Sequence, residues 1–285
     1  MIDRALDVVA DPWAQEILRR AFAEVALLGV VGGLLGCWIV FYELSYGAES
    51  LAHALFPGLV IAALAGLPLL LGGAVGLLVA SLGVAAIGRV PEIGRDTAVA
   101  VVVTTLFGLG ALLALSPDSP PGIQGLLFGD ILGVTNLDLA LAAGLAALVV
   151  GALVVLHPRL IAVGFDRSSA RLVGASTIVV DAALLILLSG AILIAVQGLG
   201  NLLVVSVLIA PAATARLVSN RMVPMMALAA GLAVAGGVGG LYLSYYAGLA
   251  AGASIALVLV STFLATTAAV RVASLMGPRS APGHR

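Results

Sequence analysis

The chain predicts an all-α, polytopic membrane protein, and three observations carry that prediction. Of 285 residues, 62% are hydrophobic and only 9% are charged, where a soluble domain carries about 25% charge. The mean hydropathy is +1.23. The 35 glycines are scattered among Ala, Leu and Val, as in membrane helices whose backbones approach closely. No break in composition marks off a second, soluble domain, and the net charge of −1 gives no footprint for nucleic acid.

Apolar length and helix breakers divide the chain into eight or nine spans. The nine-span division runs 21–42, 48–67, 69–88, 97–115, 137–156, 176–196, 199–218, 224–246 and 251–272. Residues 1–20 are read as an N-terminal interfacial segment, 21–272 as the transmembrane domain, and 273–285 as a disordered cytoplasmic tail. The second and third spans meet at the tight Gly66-Leu67-Pro68 turn. Residues 124–134 are too short to cross, and read as a re-entrant or interfacial piece. Gln197 and Asn201 bracket Gly198 and Gly200, a turn signal. Asp96 is placed with Thr97 as a cap of the fourth span, and Asp130 and Asn136 at the outer mouth.

All basic residues are Arg, and their placement orients the bundle. Arg89 and Arg95, then Arg159, Arg167 and Arg171, then Arg216 and Arg221, then Arg271, Arg279 and Arg285 fall on one side when nine spans are counted. That side is the cytoplasm. Arg19 and Arg20 disagree, since the same count leaves the N-terminus outside. The single cysteine, Cys37, lies in an apolar run and reads as a small packed side chain.

Two places carry chemistry. Glu49 and His53 interrupt the start of the second span and are four residues apart, so they share one helix face. A charge at mid-bilayer costs about 2.5–3.5 kcal/mol on insertion scales, which makes such a pair a functional candidate. The competing reading is a satisfied polar pair between packed helices. An oxygen ligand from Glu49 and a nitrogen ligand from neutral His53 suit Zn²⁺, Fe²⁺ or Mn²⁺, while the scarcity of Cys and clustered Met argues against Cu⁺. Asp181, near the start of the sixth span, is read as an additional ligand, a packing partner or a snorkelling end residue. The second place is the long polar loop 157–175, with Asp166, Arg167 and Arg171. It reads either as an ordinary connection or as a docking segment for a cytoplasmic partner, with Asp166 capping a short helix. Pro57 and Pro211 lie inside spans and remove helical hydrogen bonds, the mark of a bend or gate. The chain has no phosphate loop of the GxxxxGK[ST] type, no HExxH and no GxSxG. It is therefore not read as an enzyme, and any ATP would act on a separate subunit.

Six segments, in order, resemble the permease subunit of the zinc/manganese/iron group of metal-ion ABC importers, over roughly residues 17–270. They are ESLAHALFPG at 49–58, RDTAVAVV at 95–102, LLFGDILGV at 126–134, FDRSSARLVG at 165–174, GNLLVVSVLIAPAATARLVSNRM at 200–222, and Ala251-Gly252-Ala253-Ser254. The resemblance implies the homodimeric type II ABC importer architecture, a cytoplasmic ATP-binding subunit on each half, and an extracytoplasmic metal-binding protein that delivers the ion. It implies that Glu49 and His53 contact the transported ion and that 157–175 is the coupling region, with Asp166, Arg167 and Arg171 facing the ATPase. The location implied is the inner or plasma membrane of a prokaryote, with no bound cofactor. This chain departs from the family's pattern in three ways. Glu49 stands where Asp is usual, and Ala52 where Ser is usual. Phe41-Tyr42-Glu43 stands where basic residues commonly precede the element. Two alternatives remain: a proton-coupled secondary transporter using Glu49 and Asp181, and a siderophore or corrinoid permease that needs no Glu49/His53 pair.

Overall fold

The structure, a computed structural model, describes residues 11–88, 90, 92, 95–116, 129–170, 174, 176–201 and 203–276, without the side chains of 95, 96 and 276. The described residues include nine helices of fifteen residues or more: α1 Glu16–Phe41, α2 Ser45–Leu64, α3 Leu69–Ile87, α4 Arg95–Ala114, α5 Asn136–Phe165, α6 Thr177–Leu199, α7 Val204–Val218, α8 Met222–Ala247 and α9 Ala251–Met276. Helices are the form expected of a chain in lipid, because they satisfy every backbone polar group internally.

α1 is the centre of the larger group and packs on α5, α6, α7 and α8, while α2, α3 and α4 form a second group joined to the first through α6 and α7. In lipid there is little hydrophobic drive between helices, so close backbone approach carries the association. Gly36 of α1 illustrates it: a Cβ there would collide with the Leu208 carbonyl of α7. Gly58 of α2 stands in the same relation to the Gly72 carbonyl of α3. The main buried cluster follows α1 from Phe22 to Trp38 and takes in Leu153 and Leu160 of α5, Leu188 and Ile192 of α6, and Leu208 of α7.

Three helix ends differ from the sequence expectation. α1 begins at Glu16, so the last five residues of the expected interfacial segment belong to the first long helix. Arg20 is ion-paired to Glu16 one turn earlier, which balances one of the two arginines that disagreed with the orientation. α5 runs on to Phe165 through Pro158, 30 residues in all. The first nine residues of the expected coupling loop are therefore helical. Leu160 and Val163 are buried there, and Gly164 sits against the Phe41 ring, so packing on α1 outweighs the lost hydrogen bond at proline. The start of α5 is fixed by a capping box, with Asp138 N bonded to Thr135 Oγ1 at 3.3 Å and Thr135 N to Asp138 Oδ2 at 2.8 Å.

The third difference is α7. Among the described residues, eight helices are long and apolar enough to cross a membrane, and Val204–Val218 is not one of them. Fifteen residues span about 22 Å at 1.5 Å per residue, short of the roughly 30 Å hydrocarbon core. α6 ends at Leu199, and Gly200 follows with φ 80°. That left-handed turn is open to glycine without cost. Residues 129–134 lie against the turn: Gly129, φ 78°, packs on the 198–200 backbone, and Ile131 and Val134 are buried. Residues 124–128 of the expected re-entrant piece lie outside the described residues.

Each end of the bundle carries an aromatic cluster. Phe41 and Phe165 meet at one end, their rings 5.8 Å apart. At the other end, Trp13 stacks on Phe22 at 4.5 Å, and its Nε1 donates to Tyr242 Oη at 2.7 Å. Gln15 donates to Tyr245 Oη nearby. Such aromatic clusters belong at a membrane–water interface.

Candidate functional site

α2 carries Glu49 and His53 one turn apart, and the α6–α7 turn reaches them from the side. His53 Nδ1 lies 2.8 Å from Asn201 Oδ1. Asn201 is fully buried, and its Nδ2 donates to the Ala52 carbonyl at 2.5 Å. The bond to Ala52 fixes which way the amide points, because the nitrogen must face the carbonyl. The amide oxygen then accepts from His53 Nδ1, and in the neutral ring that leaves the lone pair on Nε2. A ligating histidine is held this way, its second nitrogen donating to a carbonyl so that ring angle and tautomer are set before the ion arrives.

His53 Nε2 faces Glu49 Oε1 at 3.9 Å. Two ligands each about 2.1 Å from one ion stand roughly 3–4 Å apart, so the pair has the separation of two donors to a shared ion. Phe107 of α4 covers the ring, 4.7 Å between centroids. Pro57 lies one turn beyond His53. It has no N–H, so the carbonyl of His53, four residues earlier, lacks its helical i+4 donor. Both Pro57 and Pro211 lie inside assigned helices.

The site is incomplete within one chain. No group of three or more His, Cys, Asp or Glu is disposed around a metal position among the described residues. The Glu49 side chain is 55% exposed and that of His53 is 24% exposed. A carboxylate so exposed along a membrane helix must face water or another chain, since lipid would not receive it.

The sequence reading missed two residues here. Asn201 was read only as part of a turn, and nothing local announces a partner 148 residues away. Glu24, in α1, is 2% exposed, packs against Gly198, and leaves Oε2 without a hydrogen-bond partner. Its signal was present: a lone carboxylate in an apolar run, the same rule that picked out Glu49.

The cluster at the α5–α6 connection is separate. Arg167 grips Asp181 through both nitrogens, 2.8 and 3.2 Å, and its guanidinium lies 5.9 Å from the centre of the Tyr42 ring. Tyr42 Oη in turn donates to the Leu160 carbonyl at 2.8 Å. The structure therefore brings Asp181 to Arg167, near the start of α6, and does not bring it to Glu49 and His53. A basic group also reaches the Phe41-Tyr42-Glu43 turn after all, supplied by the α5–α6 connection. Asp166 accepts from Ser168 N at 2.9 Å and Ser168 Oγ at 2.6 Å. Those bonds, with others from Ser169, hold its carboxyl well below the usual carboxylate range. Arg171 lies outside the described residues.

Residues 14–270 match the ABC 3 transport family. The chain is similar to the manganese transport system membrane protein MntC of Listeria innocua, 31% identical over 247 residues, 87% of this chain and 88% of the relative. It is similar to a probable iron transport system membrane protein of Haemophilus influenzae, 30% identical over 258 residues, 90% and 95% of the two chains. Among solved structures it resembles PsaBC from Streptococcus pneumoniae in complex with Fab, with TM-score 0.87 and 28% identity, covering 96% of this chain and all of that one.

Proposed function

The chain belongs to the ABC 3 transport family, and we propose that it is the membrane-spanning permease of an importer for manganese or iron. The observation that carries this reading is the oriented imidazole of His53, its free nitrogen facing Glu49 along a membrane helix. The names of relatives at 30–31% identity favour manganese and iron over zinc. Nitrogen and oxygen donors without thiolate suit either ion.

Glu49 and His53 form a weak, open two-donor stop. The remaining ligands come from water and from a second copy of the chain across a shared path. A transported ion must bind well enough to enter and loosely enough to leave, and a site closed by one chain would hold it too long. The exposed Glu49 carboxylate supports a homodimer. ATP is hydrolysed on a separate cytoplasmic subunit, which engages the α5–α6 connection through Asp166, Arg167 and Arg171. An extracytoplasmic binding protein delivers the ion at the opposite end, and the complex sits in the plasma membrane of a prokaryote. ATP-driven closure moves the α5–α6 connection, and the Arg167–Asp181–Tyr42 contacts pass that motion to the head of α2.

The test is metal accumulation in cells carrying the complete transporter, wild type against His53→Ala and Glu49→Gln, with manganese, iron and zinc scanned in parallel. Loss of manganese or iron uptake at normal membrane abundance supports the reading. Unchanged uptake of all three would sink it.

A further inference from the structure

A cleft of 530 Å³ opens at the arginine-rich end of the bundle, lined by Phe41, His157, Phe165, Arg216, Arg221 and Val223 among others. It continues into a groove of 430 Å³ that shares His157 and Val223 and is walled by Leu34, Val150, Val154 and Met226. The floor of this second part is α1, and α5 and α8 both pack on α1 to either side of it. The two parts differ in chemistry. The end part holds two exposed arginines, and no Asp or Glu lines either part. Neither arginine is ion-paired among the described residues. The groove is apolar and open to the bilayer, with Val150 41%, Val154 71% and Val223 63% exposed.

We propose that this cleft and groove bind one anionic phospholipid, its phosphate on Arg216 and Arg221 and an acyl chain along Leu34, Val154 and Met226. Arginine suits the phosphate because its planar fork meets two oxygens at once. Basic pockets between helices on the cytoplasmic side are the places where anionic headgroups are recognised. Two other occupants fit less well. A second copy related by a twofold axis along the membrane normal would bring its own arginine-rich end to the same side, adding positive charge where the cleft lacks an anion. A cytoplasmic subunit can reach the arginines but not a groove at acyl depth. The proposal does not depend on which metal is carried.

Native mass spectrometry of the complete transporter, titrated with phosphatidylglycerol or phosphatidylethanolamine, tests it. The wild type is expected to keep phosphatidylglycerol about tenfold better than phosphatidylethanolamine. Arg216→Gln with Arg221→Gln should lose that preference, and Lys at both positions should keep most of it. Val154→Trp, which fills the groove with both arginines intact, should displace the lipid. Equal retention of the two lipids by the wild type overturns the proposal, as does undiminished phosphatidylglycerol on the double Gln variant. If the double Gln variant keeps its lipid and sheds the ATPase instead, the arginines belong to subunit docking and the proposal fails. If Val154→Trp releases a second permease copy rather than a lipid, the groove is an interface between copies, and it fails again.

Discussion

His53 is held by neutral groups within the bundle, whereas Arg167 is held by charges at its edge. The first arrangement is an amide bridging a ring and a backbone carbonyl. The second is a bidentate ion pair, 59% exposed on the arginine side, lying over a tyrosine ring. The contrast follows from solvent. Away from water, an amide supplies direction without a charge to desolvate, and it turns the ring so that Nε2 faces Glu49. At the water boundary, a charged pair costs little to form and contributes little, so it can be remade as the chain moves. One region is built to fix a geometry and the other to be rearranged.

The sharpest test of that division is His53→Ala. Removing a ligand should reduce uptake by more than the roughly 100-fold that marks loss of a supporting partner, with unchanged abundance by immunoblot. Arg167→Met should lower uptake as a loss of coupling while leaving metal binding to the purified permease unchanged; a loss of metal binding as large as that of His53→Ala would mean the two regions do not differ in kind. Next in size is Asn201→Leu. It removes the acceptor that sets the His53 tautomer, and the metal concentration for half-maximal uptake should rise about 10- to 100-fold. A ring held by Phe107 packing alone would leave that value unmoved.

Smaller effects belong to the edge. Arg167→Met should lower stability by about 1 kcal/mol or less, and by still less in high salt, because the pair is solvent-screened. Thermal unfolding of the purified protein at low and high salt reads this, and a salt-independent loss would mean the pair is sealed from water. The smallest effect is acid sensitivity from Asp166. Its carboxyl is held below the ordinary value of 3.8, so the unfolded chain takes up the proton first as pH falls. The stabilisation is fully present above that value and is lost as pH drops below it. Asp166→Asn should flatten that part of the acid limb of stability, and an unchanged limb would place the sensitivity elsewhere.

How much of this was legible depended on the range of the interaction. Nine helices follow from apolar length, and Glu49 with His53 from four-residue spacing, because both patterns are local. The end of α5 was not legible, since Pro158 is a local stop signal that packing of Leu160, Val163 and Gly164 overrides. The shortness of α7 was hidden because its apolar run continues back through the Gly198–Asn201 turn, so composition did not change where the helix did. Asn201 itself reads as turn chemistry, and its partner is named only by the fold. Glu24 is different: it lies inside the first expected span, 21–42, where the rule that picked out Glu49 applies equally.

The contact between His53 and Asn201 also orders events during synthesis. The chain emerges from the ribosome N-terminus first, and 148 positions separate the two residues. Until α6 and the following turn have been inserted, Glu49 and His53 stand in the bilayer with a ring free to rotate. A nascent or truncated permease ending before Asn201 would therefore carry both side chains without the amide that orients the ring.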